Sequence, residues 1–393
     1  MNRPLHILHI IATIDPEAGG PSECVRVMLD YAPLGYTSEV VTQDDPNEEF
    51  VQNFPHRIHA LGPSKTTFGY SRRLLQWLKA NRERFDGVIL NGLWVYEGIA
   101  TRKVFAGRKP YVVFSHGMLD PYFKKAFPPK HAKKWIYWLL AEYWNLRGAY
   151  RMLFTTEAES RLAEQTFWLH KWEGVVIPFG ANRPPNAGPA LQSAFYWKFP
   201  QMRDRRFMVY LGRIHRKKGC DLLINSFIKY AAIDPELHLM MAGPDQQGWS
   251  AELQQIVANA GLSDRVHWPG MLQGDVKWGA FYASEVFILP SHQENFGIAV
   301  AEAMSCGLPV LLSDKVNIAP DIAAAGAAYM EPDTQEGTDN LFQRWIETPT
   351  VERGAMSVRA LELFDARYDM RKSSAAIFRL FDEFAIKDAD TNG

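Results

Sequence analysis

Cysteine is scarce in this 393-residue chain: Cys24, Cys220 and Cys306 stand far apart, with no C-x-x-C spacing. Three isolated thiols exclude a disulfide framework and predict small buried groups in a reducing compartment. No apolar run approaches the ~20 residues of a membrane-spanning helix, and the first twenty residues lack the small-residue cleavage site of a secretory leader. The expectation is a cytoplasmic protein. Charge of one sign is also missing, with 43 Lys and Arg against 44 Asp and Glu. That balance argues against a general nucleic-acid binder, which carries a basic excess. No repeat recurs at a period of ~20–50 residues. No strand leads into G-x-G-x-x-G with an acid ~20 positions on, which weakens a nucleotide-dependent oxidoreductase.

What is present is alternation. Short β-branched runs (Leu5–Ile11, Glu39–Thr42, Gly87–Asn91, Tyr111–Phe114, Met152–Thr155, Val175–Pro178) are separated by helical patterns at Pro21–Ala32, Ser71–Arg84, Lys130–Arg147 and Glu157–Gln165. A second series runs through Phe207–Gly212, Leu237–Met241, Arg265–Trp268, Val286–Pro290 and Pro309–Ser313. Strands separated by helices build parallel sheets, so the expected class is α/β, two doubly wound Rossmann-like domains facing across a cleft. The predicted boundaries are 1–183, a breaker-rich linker over 184–206, a second domain over 207–366, and a C-terminal helix over 367–393. That helix is expected to pack back on the first domain and fray at its end.

Three motifs carry chemistry. Gly19-Gly20-Pro21 follows the first strand and opens a helix, where glycine allows close backbone approach to a ligand. Gly212-Arg213-Ile214-His215-Arg216-Lys217-Lys218-Gly219 follows the first strand of the second domain. Arg213 and Lys218, five apart across a loop, can converge on one diphosphate. Ser291-His292-Gln293-Glu294-Asn295-Phe296-Gly297 leads from a buried strand into a helix whose N-terminus suits an anion. Carboxylates do not bind phosphate, so Glu294 and Glu302 beside that anion seat suggest sugar hydroxyls. Each motif alone is common in ordinary loops. Their order and spacing together are not.

In that order, with Ala242-Gly243-Pro244 and Gly307-Leu308-Pro309-Val310 between and after them, the chain resembles the family-4 (group 1) retaining glycosyltransferases of the GT-B fold. The resemblance implies transfer of a sugar from a UDP- or GDP-sugar donor to a saccharide or polyprenyl-diphosphate-linked acceptor, in bacterial surface polysaccharide synthesis. It implies that Arg213 and Lys218 neutralise the departing diphosphate and that Glu302 holds the ribose. Glu294, Asn295, Phe296 and Gly297 would hold the donor sugar, and Gly270 and Met271 would flank the base. Gly19 and Gly20 would meet the diphosphate, and His116 would stand near the reacting sugar. Retention asks mainly for fixed positive charge and positioning, so no metal and no cofactor is expected. The single D-x-D, Asp388-Ala389-Asp390, reads as a solvated tail. Asn91 departs from the family pattern, in which many relatives have His at that strand end.

Residues 122–151 hold seven Lys and Arg against Glu142 alone, interleaved with aromatics. Lys124, Lys125, Lys133, Lys134 and Trp135 therefore fit contact with an anionic membrane or an acceptor. The alternative is an ordinary helix with solvated lysines. Two other readings of the whole chain stand beside the enzyme: a non-catalytic GT-B scaffold or regulatory partner, and, less favoured, the oxidoreductase. Intact Arg213, Lys218, Glu294 and Glu302 argue against the scaffold.

Overall fold

The structure is a computed structural model that describes residues 3–392 other than 65, 67, 122, 123, 125–127, 187, 246 and 247. Two compact units emerge, one comprising residues 1–180 and 370–393 and the other residues 181–369.

The first unit is built on a seven-stranded, all-parallel sheet: β1 Leu5–Ile11, β2 Tyr36–Thr42, β3 Ile58–Ala60, β4 Gly87–Asn91, β5 Tyr111–Phe114, β6 Arg151–Phe154 and β7 Gly174–Val176. Their order is β3-β2-β1-β4-β5-β6-β7. β4 and β5 are buried along their whole lengths, as expected of parallel strands covered by helices on both faces. Two of the covering helices start at a side-chain cap, Ser71 in one and Thr156 in the other. Ser71 Oγ accepts the Leu74 amide at 3.1 Å to open helix Arg72–Asn81, which buries Leu74 and Leu78 one turn apart. The C-terminal helix, Met370–Asn392, belongs to this unit. Its Phe378 ring lies 5.1 Å from that of Tyr36.

The second unit has six parallel strands: β8 Arg206–Leu211, β9 Leu237–Ala242, β10 Val266–Gly270, β11 Val286–Leu289, β12 Val310–Ser313 and β13 Ala328–Glu331, in the order β10-β9-β8-β11-β12-β13. The stretch 184–206, expected as a linker, is instead part of this unit. Its helix Gly188–Lys198 buries Leu191 and Phe195, and the Phe195 ring packs 5.8 Å from Phe207. Arg183 is tied to Asp365 and to Asp369. The chain therefore crosses between units at 180–181, just ahead of Pro184-Pro185, and again at 369–370, where no run of breakers marks the sequence.

Candidate functional site

In each unit the strand order reverses once, between β1 and β4 and between β8 and β11. Loops leaving the carboxyl ends of the strands at such a point form the binding crevice of open α/β sheets. The motifs sit on those loops.

In the second unit, the loop after β8 folds into a 3₁₀ turn, Arg216–Lys218, and enters helix Cys220–Tyr230 through Gly219 at φ +66°. A Cβ on Gly219 would stand 2.1 Å from the Pro290 carbonyl oxygen. The loop is thus pressed onto the end of β11, where only glycine fits. The Lys217 carbonyl completes the join by accepting the His292 amide at 2.8 Å and the Ser291 hydroxyl at 3.0 Å. Gly219→Ala should therefore dislocate the Lys218 loop. The left-handed backbone alone costs roughly 1–2 kcal/mol, and thermal unfolding with and without nucleotide should show lost ligand stabilisation besides a lower midpoint.

Docking the two loops brings Lys218 against Glu294 as an ion pair, both side chains mostly buried. Burial and the neighbouring Lys217 and Arg213 charges push the Lys218 ammonium down to about 7. The Glu294 carboxylate against it acts the other way. His215 is likewise held below its ordinary range, by burial and by Arg213, Lys217 and Lys218. Exposed Arg213 thus shares one strongly positive loop with Lys218. Arg216 points elsewhere, 4.6 Å over the Trp249 ring and paired with Glu252 at 3.6 Å.

Glu294 is fixed by its backbone, which bridges to Val316 and accepts the Asn317 amide at 3.1 Å. Asn295 Oδ1 accepts from Asn317 at 3.4 Å, and Phe296 is buried against Tyr368. Gly297, at φ +75°, turns the chain into helix Ile298–Ser305 and brings no side-chain cap to its first amides. That leaves a helix N-terminus of the kind that receives anions. Glu302, in the second turn, is buried and meets Lys277 Nζ at 2.7 Å. Lys277 has no motif around it, and only the packing of helix Gly274–Ala283 reveals it. Gly270 ends the edge strand β10, and Met271 follows it, exposed.

Gly19, Gly20 and His116 belong to the first unit. Gly19, at φ +97°, precedes helix Gly20–Asp30. His116 follows β5 in a left-handed conformation, φ +48°, and its ring stacks on Phe114 with centroids 4.1 Å apart. Its Nε2 lies 3.2 Å from Asn91 Oδ1, while Asn91 Nδ2 donates to the Ile10 and Ile89 carbonyls. With the amide so oriented, His116 Nε2 carries the proton and Nδ1 is the acceptor. Burial pushes His116 down to about 3, so the ring is neutral at physiological pH. Asn91, a departure by family pattern, is here the group that sets the tautomer. Buried Glu159, which the sequence did not single out, accepts the Ser115 hydroxyl at 2.7 Å and the Gly117 amide at 2.8 Å. It anchors the residues on both sides of His116.

The basic aromatic segment forms helix Pro128–Tyr137, a π-helical turn at Trp138–Glu142 and helix Tyr143–Gly148. Lys125 lies outside the described residues. Lys124 and Lys133 are exposed. Trp135 and Lys134 are not an outward pair: Trp135 packs 4.9 Å from Phe167, and Lys134 Nζ lies 4.3 Å over the Trp94 ring. The π turn draws Glu142 inward to accept the Trp94 amide at 2.9 Å. It leaves Ile136, Leu139, Leu140 and Trp144 outside, with Leu140 77% exposed. Among the described residues no helix is long and apolar enough to cross a membrane, and no three His, Cys, Asp or Glu side chains gather as for a metal ion.

Comparison with known proteins agrees with this geometry. Residues 19–180 match the family model for a glycosyl transferase 4-like domain, and residues 195–359 match that for glycosyl transferases group 1. The chain is 27% identical, over 95% of its own length and 92% of the relative's, to a GDP-mannose:cellobiosyl-diphosphopolyprenol alpha-mannosyltransferase of Xanthomonas campestris. A lipopolysaccharide core biosynthesis mannosyltransferase of Rhizobium meliloti is 32% identical over 28% of this chain and 32% of its own. Among solved structures, a sucrose-phosphate synthase from Thermosynechococcus elongatus superposes with TM-score 0.78 at 21% identity, covering 98% of this chain and all of that one. Anabaena HepE, in complex with UDP and glucose, gives TM-score 0.75 at 18% identity over 96% and 99%. With two family models matched in tandem on two parallel-sheet units, the chain belongs to the group 1 (family-4) glycosyltransferases of the GT-B fold.

Proposed function

We propose that this glycosyltransferase moves a sugar from a nucleotide-sugar, with retention and without a metal, to a saccharide or lipid-linked saccharide of bacterial surface polysaccharide synthesis. The observation that carries the donor reading is the buried Lys218–Glu294 pair on a positive loop, beside an uncapped helix N-terminus. Phosphate charge entering there meets Lys218, Arg213 and the helix dipole, all fixed in advance of the reaction. Glu294 and Glu302 remain as acceptors for sugar and ribose hydroxyls. As the glycosidic bond breaks, charge grows on the diphosphate. Lys218 and Arg213 stabilise that charge, and the departing phosphate takes the acceptor proton. Neutral His116 supplies an acceptor at Nδ1 for a sugar hydroxyl and no charge. Relatives named for GDP-mannose and for diphosphopolyprenol acceptors support a lipid-linked acceptor.

A thermal-shift panel of UDP, GDP, ADP and their common sugars, with and without EDTA, tests the donor. One nucleotide should raise the midpoint by mass action and be indifferent to chelation. Absence of any shift would favour the scaffold reading, and an EDTA-sensitive shift would remove metal independence. NMR of the product's anomeric configuration tests retention.

Lys218 also predicts a proton balance. Burial beside Lys217 and Arg213 pushes its ammonium down against the pull of Glu294, so part of the free enzyme loses that charge as pH rises. A bound diphosphate favours the charged form, so binding should take up a proton at pH 8 and weaken as pH rises above 7, approaching about tenfold per unit. Calorimetry in two buffers of different ionisation enthalpy reads the uptake directly. Equal heats in both would contradict the assignment.

An association with anionic membrane is supported by the apolar face of residues 136–144. Lys124, Lys133 and Arg147 are exposed around it, and the Arg102 and Arg147 guanidinium groups lie 5.9 and 5.5 Å over the Trp144 ring. Apolar side chains ringed by cations are what an interfacial helix presents to acidic headgroups.

A further inference from the structure

We propose that Lys277 is a positioning residue for the nucleoside half of the donor: it holds the Glu302 carboxylate ready to accept from the ribose, and so sets a preference for ribonucleotides over 2′-deoxyribonucleotides. The inference rests on the reading of Glu302 as the ribose acceptor and adds the residue on which that role depends.

The two side chains meet through packing within the second unit. Lys277 lies in the first turn of helix Gly274–Ala283, which begins shortly after Gly270. Gly279 of that helix is pressed onto helix Gly188–Lys198, where a Cβ would stand 2.1 Å from the Leu191 carbonyl oxygen. The backbone that carries Lys277 is therefore fixed. Its ammonium lies 4.6 Å over the ring of buried Trp278 and 2.7 Å from Glu302 Oε1. Ring and carboxylate both attract the cation, which restrains a side chain that is otherwise long and free to swing.

Glu302 needs such a partner. Only 7% of its side chain is exposed, and a buried carboxylate without a counter-charge takes up a proton or turns towards water. Either change would spoil it as an acceptor. The diphosphate joined to the ribose adds negative charge and pushes in the same direction. Lys277 opposes this by occupying Oε1, while among the described residues Glu302 Oε2 has no hydrogen-bond partner. One oxygen is committed to the lysine and the other is left for a hydroxyl. A hydroxyl donating to an ionised carboxylate makes a stronger bond than a neutral pair does, and 2′-deoxyribose lacks one of the two hydroxyls able to make it. An ammonium that merely attracted phosphate would act on ribonucleotides and deoxyribonucleotides alike, so the two roles separate by experiment.

Calorimetric titration of the full-length protein with UDP, GDP and ADP, and with the 2′-deoxy form of each, tests this. The nucleotide that binds should bind about tenfold more tightly than its deoxy form, the size of one hydrogen bond to a charged group. Lys277→Met, which keeps an unbranched stem without the charge, should bring that ratio below about threefold. Lys277→Gln, too short to reach Glu302, takes its place with the same expectation if the Met variant does not fold. Lys277→Arg, which keeps a cation, should hold the ratio above about fivefold. The proposal is overturned if the uncharged variant keeps the wild-type ratio, including by losing affinity equally for both forms, or if Lys277→Arg loses the ratio as fully as the uncharged variant does. Glu302→Ala separates the proposal from the reading beneath it. A ratio abolished in Glu302→Ala and kept in Lys277→Met leaves Glu302 as the ribose acceptor and removes the role of Lys277 alone. A ratio kept in Glu302→Ala removes both.

Discussion

Lys218→Ala is expected to lower sugar transfer about 10²-fold or more, equivalent to roughly 3 kcal/mol of transition-state stabilisation. The size follows from where the ammonium sits. It is mostly buried, so its field is little screened by water, and it is fixed by docking of the Arg216–Lys218 turn onto the β11 loop. Charge on the leaving diphosphate increases as the glycosidic bond breaks, so the loss should fall on kcat more than on KM. The substitution also leaves the Glu294 carboxylate without its partner, which adds repulsion towards an incoming phosphate. Steady-state kinetics with the donor found in the nucleotide panel would decide the matter. Thermal unfolding would show that the variant is folded. Near-normal turnover by a folded variant would end the role assigned to Lys218.

Replacing Ile136 and Leu140 together by Asp should abolish sedimentation with anionic vesicles and leave nucleotide-induced stabilisation intact. These side chains are 64% and 77% exposed, so the fold gains little from them. Inserted at a headgroup boundary, each would contribute on the order of 1.5–3 kcal/mol. Two carboxylates in their place would instead be repelled by acidic lipid. Lys124→Glu with Lys133→Glu should weaken the same binding in a salt-dependent way, at about 1 kcal/mol per charge. Lys134 is left out of that test, because its ammonium already faces the Trp94 ring and the buried Glu142. Continued pelleting of the Asp variant with vesicles would refute membrane contact through this face.

The strands that the sequence makes plain are the central ones. β1, β4 and β5 run between the very residues that their apolar runs delimit. The edge strands β3 and β13 passed unnoticed, since Ile58–Ala60 and Ala328–Glu331 are short and only partly buried. An edge strand needs pairing on one side only and carries a weaker apolar signature. Helix Gly188–Lys198 was hidden differently. Its Gly and Pro neighbours read as breakers, and Leu191 and Phe195 acquire meaning only once another helix and Phe207 are packed against them.

By itself the sequence determined the alternation of strand and helix, the glycines that let loops turn into helix N-termini, and the family those loops identify. Each is a local matter, decided by backbone conformation and side-chain period over a few residues. Only the tertiary structure decided which carboxylate meets which cation. Lys218 and Glu294 are 76 positions apart, and Glu302 and Lys277 are 25 apart on different helices. It alone turned Trp135 inward and Leu140 outward, and gave Asn91 and Glu159 to His116. Ion pairs, burial and the pKa values that follow from them depend on distances through space. Spacing along the chain does not encode those distances until the sheets are assembled.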